Sequence, residues 1–206
     1  MRRRRVLGWL AVTALLLISV SGPAQAQDSS RPDNVELHSP SRNGQLRAGA
    51  LARFEGRTID LAADWGDAKA CLVWRQGGVL ECFRSAEALD AREAQLAPRR
   101  AALDSTTSYG ATAAYSYSCS SALRLYEYNW YSGRRLSFWD RGFWQNLGDY
   151  GFEDQTSSYI VGGCYVYLAE HAYGGGWWYP GPNYPYAGEP AMSWDWQDTI
   201  SSIYIG

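Results

Sequence analysis

Short apolar runs broken by turn residues, with one helical stretch, make up positions 50 to 96. "ARFEGRTIDLA" predicts a strand or two. "CLVWRQGGVLEC" predicts a hairpin, because apolar residues flank Gln76-Gly77-Gly78 on both sides. Folding it about Gln76-Gly77 brings Cys71 opposite Cys82, at a separation a disulfide spans. "SAEALDAREAQL" predicts a helix with Ser85 as N-cap and Glu87 in its first turn. The pattern changes from Cys119 onward, where 22 aromatic residues fall among the last 88 positions, in short runs between glycines. Many short aromatic strands and no helical period predict an all-β sandwich or barrel.

Two polar stretches separate these parts. Residues 27–49 hold too little apolar area to offset the entropy of ordering and are read as a disordered linker. Residues 97–118 are read as a second linker. The intervening 50–96 is then a small α+β unit that is short for a core and is stapled by its disulfide.

The chain begins with four arginines, an apolar run from Val6 to about Val20, and small residues ending Ala24-Gln25-Ala26. This is the layout of a secretory signal over residues 1–26, cleaved before Gln27, and the run is short for a membrane span. Loss of Arg2 to Arg5 leaves 15 Lys+Arg against 21 Asp+Glu, a formal charge near −6. Nucleic acid and anionic membranes call for the opposite sign, so neither is an expected partner. Four cysteines in an exported chain read as two disulfides. Three pairings are possible, and the order favours the local ones, Cys71 with Cys82 and Cys119 with Cys164.

The last part also repeats itself. "LYEYNWYSG" from Leu125 aligns with "LAEHAYGGG" from Leu168, so Glu127 falls on Glu170 and Gly133 on Gly176. Each repeat ends in an Asp-x-x-Ser-Ser stretch, Asp154 to Ser158 and Asp198 to Ser202, followed by a strand. A folded hairpin needs a residue at positive φ, which Gly133 and Gly176 supply without steric penalty. A serine hydroxyl nearby can bond backbone groups that would otherwise be buried unpaired.

Tyr126, Tyr131 and Gly133, with Ser158 and Ser202, resemble the Greek-key signature of the βγ-crystallins over residues 119–206, two motifs and one complete domain. The first motif is similar to an actinobacterial branch of metalloproteinase-inhibitor-like proteins. The second departs from the signature, with Ala169 and Gly174 where aromatics stand in the family. The resemblance implies a two-motif sandwich and, from the calcium-binding members, a cation loop in each motif. Its ligands would be Asp154 and Ser157, Asp198 and Ser201, with Glu127 and Glu170 as partners from the hairpins. Glu153 and Gln197 stand where the binders carry Asp or Asn. Calcium takes six to eight oxygens, and extracellular modules bind it at about 0.1 to 1 mM. The alternative is that these Asp and Ser residues only stabilise turns.

Catalysis has little support. The repeat contains one histidine, His171, and no nucleophile-elbow or zinc-protease motif. Two binding functions remain. The resemblance implies inhibition of a secreted metalloproteinase, with the proline-stiffened loop from Tyr179 to Trp194 as a candidate contact. Trp177, Trp178, Tyr179, Tyr184 and Tyr186 could instead stack on a cell-wall polysaccharide, unless half or more of them fill the sandwich core.

Overall fold

The computed structural model describes residues 49–107 and 119–206. The expected signal sequence over residues 1–26, most of the 27–49 stretch and residues 108–118 lie outside the described residues. Among the described residues no helix is long and apolar enough to cross a membrane.

The last part forms the expected all-β, crystallin-type pair of motifs. Strands β5 (Leu123–Tyr128), β6 (Ser132–Phe138), β7 (Trp144–Asn146) and β8 (Ser158–Ile160) make the first motif. The second holds β9 (Val166–Ala169), β10 (Gly188–Glu189) and β11 (Ser202–Ile205). Each motif lends a strand to the other's sheet: β7 pairs with β11, and β10 pairs with β8. Alternation along β6 sends Leu136 and Phe138 into the sandwich and Arg135 and Ser137 to the opposite face. Leu125, Tyr159, Leu168, Ile203 and Ile205 complete the space between the sheets.

The segment before Cys119 forms β1 (Leu51–Phe54), β2 (Arg57–Asp60), β3 (Ala70–Trp74), β4 (Val79–Phe83) and α1 (Ala86–Thr107). It departs from the expected separate unit. Strand β3 pairs in parallel with β6, from Ala70 opposite Arg135 to Val73 opposite Phe138, giving one eight-stranded sheet. The reason lies in β3 itself, which is buried on both faces: Cys71 and Val73 join the sandwich core, while Ala70, Leu72 and Trp74 face a second cluster with Leu89 and Leu96 of α1. A strand apolar on both sides must be covered twice, and roughly 50 residues supply only one cover.

The helix begins at the expected serine, whose Oγ accepts the N–H of Ala88 at 3.2 Å. It then runs past Leu96 and through Pro98 to Thr107, so residues 97–107 are helix rather than linker. Proline inside a helix costs a backbone hydrogen bond. Tertiary contacts offset this: Arg99 donates to the carbonyl of Gly77 at 2.7 Å and lies 5.1 Å over the Trp74 ring. Arg124 and Arg135 of β5 and β6 meet Glu93 and Asp90 of α1, Arg124 to Glu93 at 2.8 Å and Arg135 to Asp90 at 2.8 Å. Cys71 and Cys82 are register partners in the β3–β4 hairpin and are disulfide-bonded, as are Cys119 and Cys164.

Candidate functional site

Each repeat folds its hairpin over and pins it with the same three atoms. Ser158 Oγ donates to the carbonyl of Tyr128 at 2.7 Å and accepts the N–H of Tyr131 at 3.1 Å. Ser202 Oγ does the same to the carbonyl of His171 at 2.6 Å and the N–H of Gly174 at 2.9 Å. Both serines are fully buried, and each ties two backbone groups of its hairpin together. Gly133 and Gly176 take φ of +79° and +71°. A Cβ on either would strike the glutamate that folds over the hairpin, 2.9 Å from Glu127 Cβ or 2.8 Å from Glu170 Oε2. Tyr126 and Tyr131 pack ring to ring at 5.5 Å across the first hairpin.

The Asp-x-x-Ser-Ser loops are crossed. Ser157 Oγ donates to Asp198 Oδ1 at 2.9 Å, and Ser201 Oγ to Asp154 Oδ1 at 3.2 Å. Backbone bonds repeat the exchange, Asp154 N–H to the carbonyl of Ile200 and Asp198 N–H to that of Thr156, both at 3.1 Å. Both aspartates sit in the left-handed region, at φ +53° and +55°, a conformation Asp tolerates better than most residues.

The two glutamates diverge. Glu127 accepts the N–H of Arg134 at 3.0 Å and takes its guanidinium at 3.2 Å from Nε and 3.1 Å from Nη2. Arg134 Nη2 also reaches Gln155 Oε1. Partial burial opposes ionisation of Glu127, but the Arg134 side chain and backbone outweigh it and hold the carboxyl below its ordinary range. Trp65, from the segment before Cys119, covers the guanidinium at 4.9 Å and is itself fixed by its indole N–H to the carbonyl of Tyr150 at 2.8 Å. Glu127 and Gln155 thus already serve a cation of the chain. Among the described residues Glu170 carries no such partner, and its Oε2 accepts the N–H of Trp177 at 3.1 Å. Among the described residues, no three His, Cys, Asp or Glu side chains are grouped to hold a metal.

Beside Glu170 a groove of about 450 Å³ opens, lined by Trp177, Trp178, Pro180, Asp195, Trp196 and Thr199. Its walls are firm. Trp178 packs at 5.6 Å from Trp144 and 5.2 Å from Tyr167, and Trp196 at 5.4 Å from Tyr179. Of the five aromatics considered from the sequence, only Tyr179 is half-buried against the core. Trp177, Trp178, Tyr184 and Tyr186 are exposed, Trp177 to 78%. They do not form one platform. Trp178 bridges Ala169 at the end of β9, while Asn183, beside Tyr184, accepts the N–H of Val166 at its start. Asp195 and Trp196 are not among the residues expected from the sequence, whereas the 86%-exposed Trp194 closes the expected loop. The repeat held the signal, since Trp196 falls 44 positions after Phe152 as Asp198 does after Asp154. The loop from Tyr179 to Trp194 is tied down, its Pro182 carbonyl to Tyr159 Oη at 2.7 Å and its Met192 carbonyl to Gln197 Nε2 at 2.9 Å.

No family model matches the chain, and no curated protein matches it. Among solved structures it is similar to βγ-crystallin domains. One is a βγ-crystallin from Ciona intestinalis, 20% identical, covering 41% of this chain and 99% of that one with a TM-score of 0.35. Another is a double mutant of a domain from Clostridium beijerinckii, 26% identical, covering 41% and 94%, with a TM-score of 0.33. A domain from Flavobacterium johnsoniae is 21% identical, covering 41% and 92%, with a TM-score of 0.33.

Proposed function

We propose that this chain is a secreted, non-catalytic member of the βγ-crystallins that binds another extracellular protein through the aromatic groove of its second motif. The observation that carries the reading is the pairing of the exposed Trp177 and Trp178 and the packed Trp196 with two carboxylates, Glu170 and Asp195, along one groove. Aromatic anchors held in place before binding lose little entropy on docking, and Trp and Tyr dominate the binding energy of protein interfaces. The tied-down loop from Tyr179 to Trp194 adds a stiff flank.

The sequence resemblance makes a secreted metalloproteinase the target class to try first. Purified protein incubated with thermolysin-like enzymes should inhibit them at micromolar concentration. Full protease activity at about a hundred-fold higher concentration would remove that target. The exposure of Trp177 and Trp178 also favours a second reading, stacking on cell-wall polysaccharide. Retention on peptidoglycan, chitin or cellulose that is lost when both tryptophans become alanine supports it over protein binding. Calcium is carried forward as the resemblance implies it, in loops built on Asp154 with Ser157 and on Asp198 with Ser201, where it would add stability rather than chemistry.

A further inference from the structure

The first motif contains a filled counterpart of the open groove. There the Arg134 guanidinium lies on Glu127, reaches Gln155, and stands 5.5 Å over the Phe152 ring. In the second motif the same alignment gives Glu170 for Glu127, Thr199 for Gln155 and Trp196 for Phe152. The carboxylate, the oxygen acceptor and the aromatic are thus all repeated, and all three line the groove. The arginine is not repeated: Trp177 occupies its position and turns its side chain to solvent. Asp195 stands where the first motif has Gly151, so the groove gains a second carboxylate. Among the described residues neither Glu170 nor Asp195 is paired with a cation.

We propose that the groove is a receptor for a guanidinium group, filled by an arginine side chain of the partner protein; this rests on the protein-binding reading above. A planar guanidinium meets a carboxylate edge-on and an indole face-on at once, as Arg134 does in its own motif. A neutral sugar would leave both carboxylates without countercharge. A calcium ion would have no use for the indoles.

The test follows the tryptophan indole N–H signals of the mature chain by NMR during titration with N-acetyl-L-arginine amide. Its neutral isostere N-acetyl-L-citrulline amide, calcium chloride and a chitooligosaccharide are run in parallel. Arginine should give saturable shifts at Trp177, Trp178 and Trp196, with affinity at least tenfold weaker for citrulline. Glu170→Gln should lose at least tenfold for arginine, while its amide oxygen keeps the bond to the Trp177 N–H. Trp177→Arg should set a guanidinium over Glu170 as Arg134 sits over Glu127, raise the melting temperature and abolish arginine binding. No saturable shift with arginine, equal binding of citrulline, or displacement of arginine by calcium overturns the assignment. Saturable shifts with the oligosaccharide alone overturn it too. These readouts need no partner, so their failure leaves protein binding to the protease assay. Arginine binding with no protein captured or inhibited sinks the protein-binding reading alone.

Discussion

Ser157 of the first loop donates its hydroxyl to Asp198 of the second at 2.9 Å, so the two repeats are hydrogen-bonded through the residues that looked most like chemistry. Ser201 returns the bond to Asp154 at 3.2 Å. The Asp-x-x-Ser-Ser stretches therefore join the two Greek keys side chain to side chain.

That junction makes the acceptor and the backbone conformation separable. Asp198→Asn keeps an oxygen for Ser157 and tolerates positive φ, so its stability should change by less than about 0.5 kcal/mol. Asp198→Ala loses both and should cost roughly 1–3 kcal/mol. Urea unfolding of the two variants, with calcium and with chelator, separates the turn from any ion. A calcium-dependent midpoint that survives in Asp198→Ala would contradict the use of Asp198 as a ligand.

Ser158 and Ser202 satisfy two backbone groups each. Alanine at either position removes both hydrogen bonds and should destabilise by about 1–3 kcal/mol in all. Ser202→Ala should also broaden the amide signals of His171 to Gly176, since the second hairpin lacks the Tyr126–Tyr131 ring pair that supports the first.

Glu93 is the buried end of the ion pairs between α1 and the Greek-key sheet. Glu93→Ala removes the buried carboxylate of Arg124 and leaves Asp90 to serve both Arg124 and Arg135, and a broken buried pair costs up to roughly 3–5 kcal/mol. Thermal melts should show one transition at reduced temperature in the variant. Two separate transitions would contradict the single core shared by β3 and β6.

Tyr159 is buried between the sheets, and burial pushes its phenol well above the ordinary value, with nearby Tyr179 and Glu189 adding to the effect. A folded pKa raised above the unfolded value of about 10 means stability is complete below that pH and falls as pH rises beyond it. Wild type should lose stability progressively above pH 10. Tyr159→Phe has no proton to lose there, so its melting temperature should decline less steeply over the same range.

How much of this was legible in the sequence depends on how local each feature is. The Cys71–Cys82 hairpin, the helix start at Ser85 and the twofold repeat all lie within short windows, and the structure has each of them. The end of the helix was hidden because Pro98 and small residues argue against continuation. What carries the helix onward is Trp74, distant in sequence, beneath Arg99. The joining of β3 to β6 was hidden likewise, since two apolar faces on a five-residue strand do not say which partner covers them. Glu127 and Glu170 looked equivalent. Arg134 and Trp65, folded over the first of them, distinguish the two glutamates. Trp196 and Asp195 are flanked by a loop that shows no periodicity, so their place in the groove follows from the packing of Tyr179 against Trp196.

The most direct measurement is the affinity of the mature chain for a thermolysin-like metalloproteinase, compared with a variant carrying Trp177→Ala and Trp178→Ala. Two anchor side chains at an interface are each worth more than about 1 kcal/mol, so the variant should bind at least tenfold more weakly when compared at a temperature where both proteins are folded. Equal affinity in wild type and variant would contradict the placement of the binding face on the second motif.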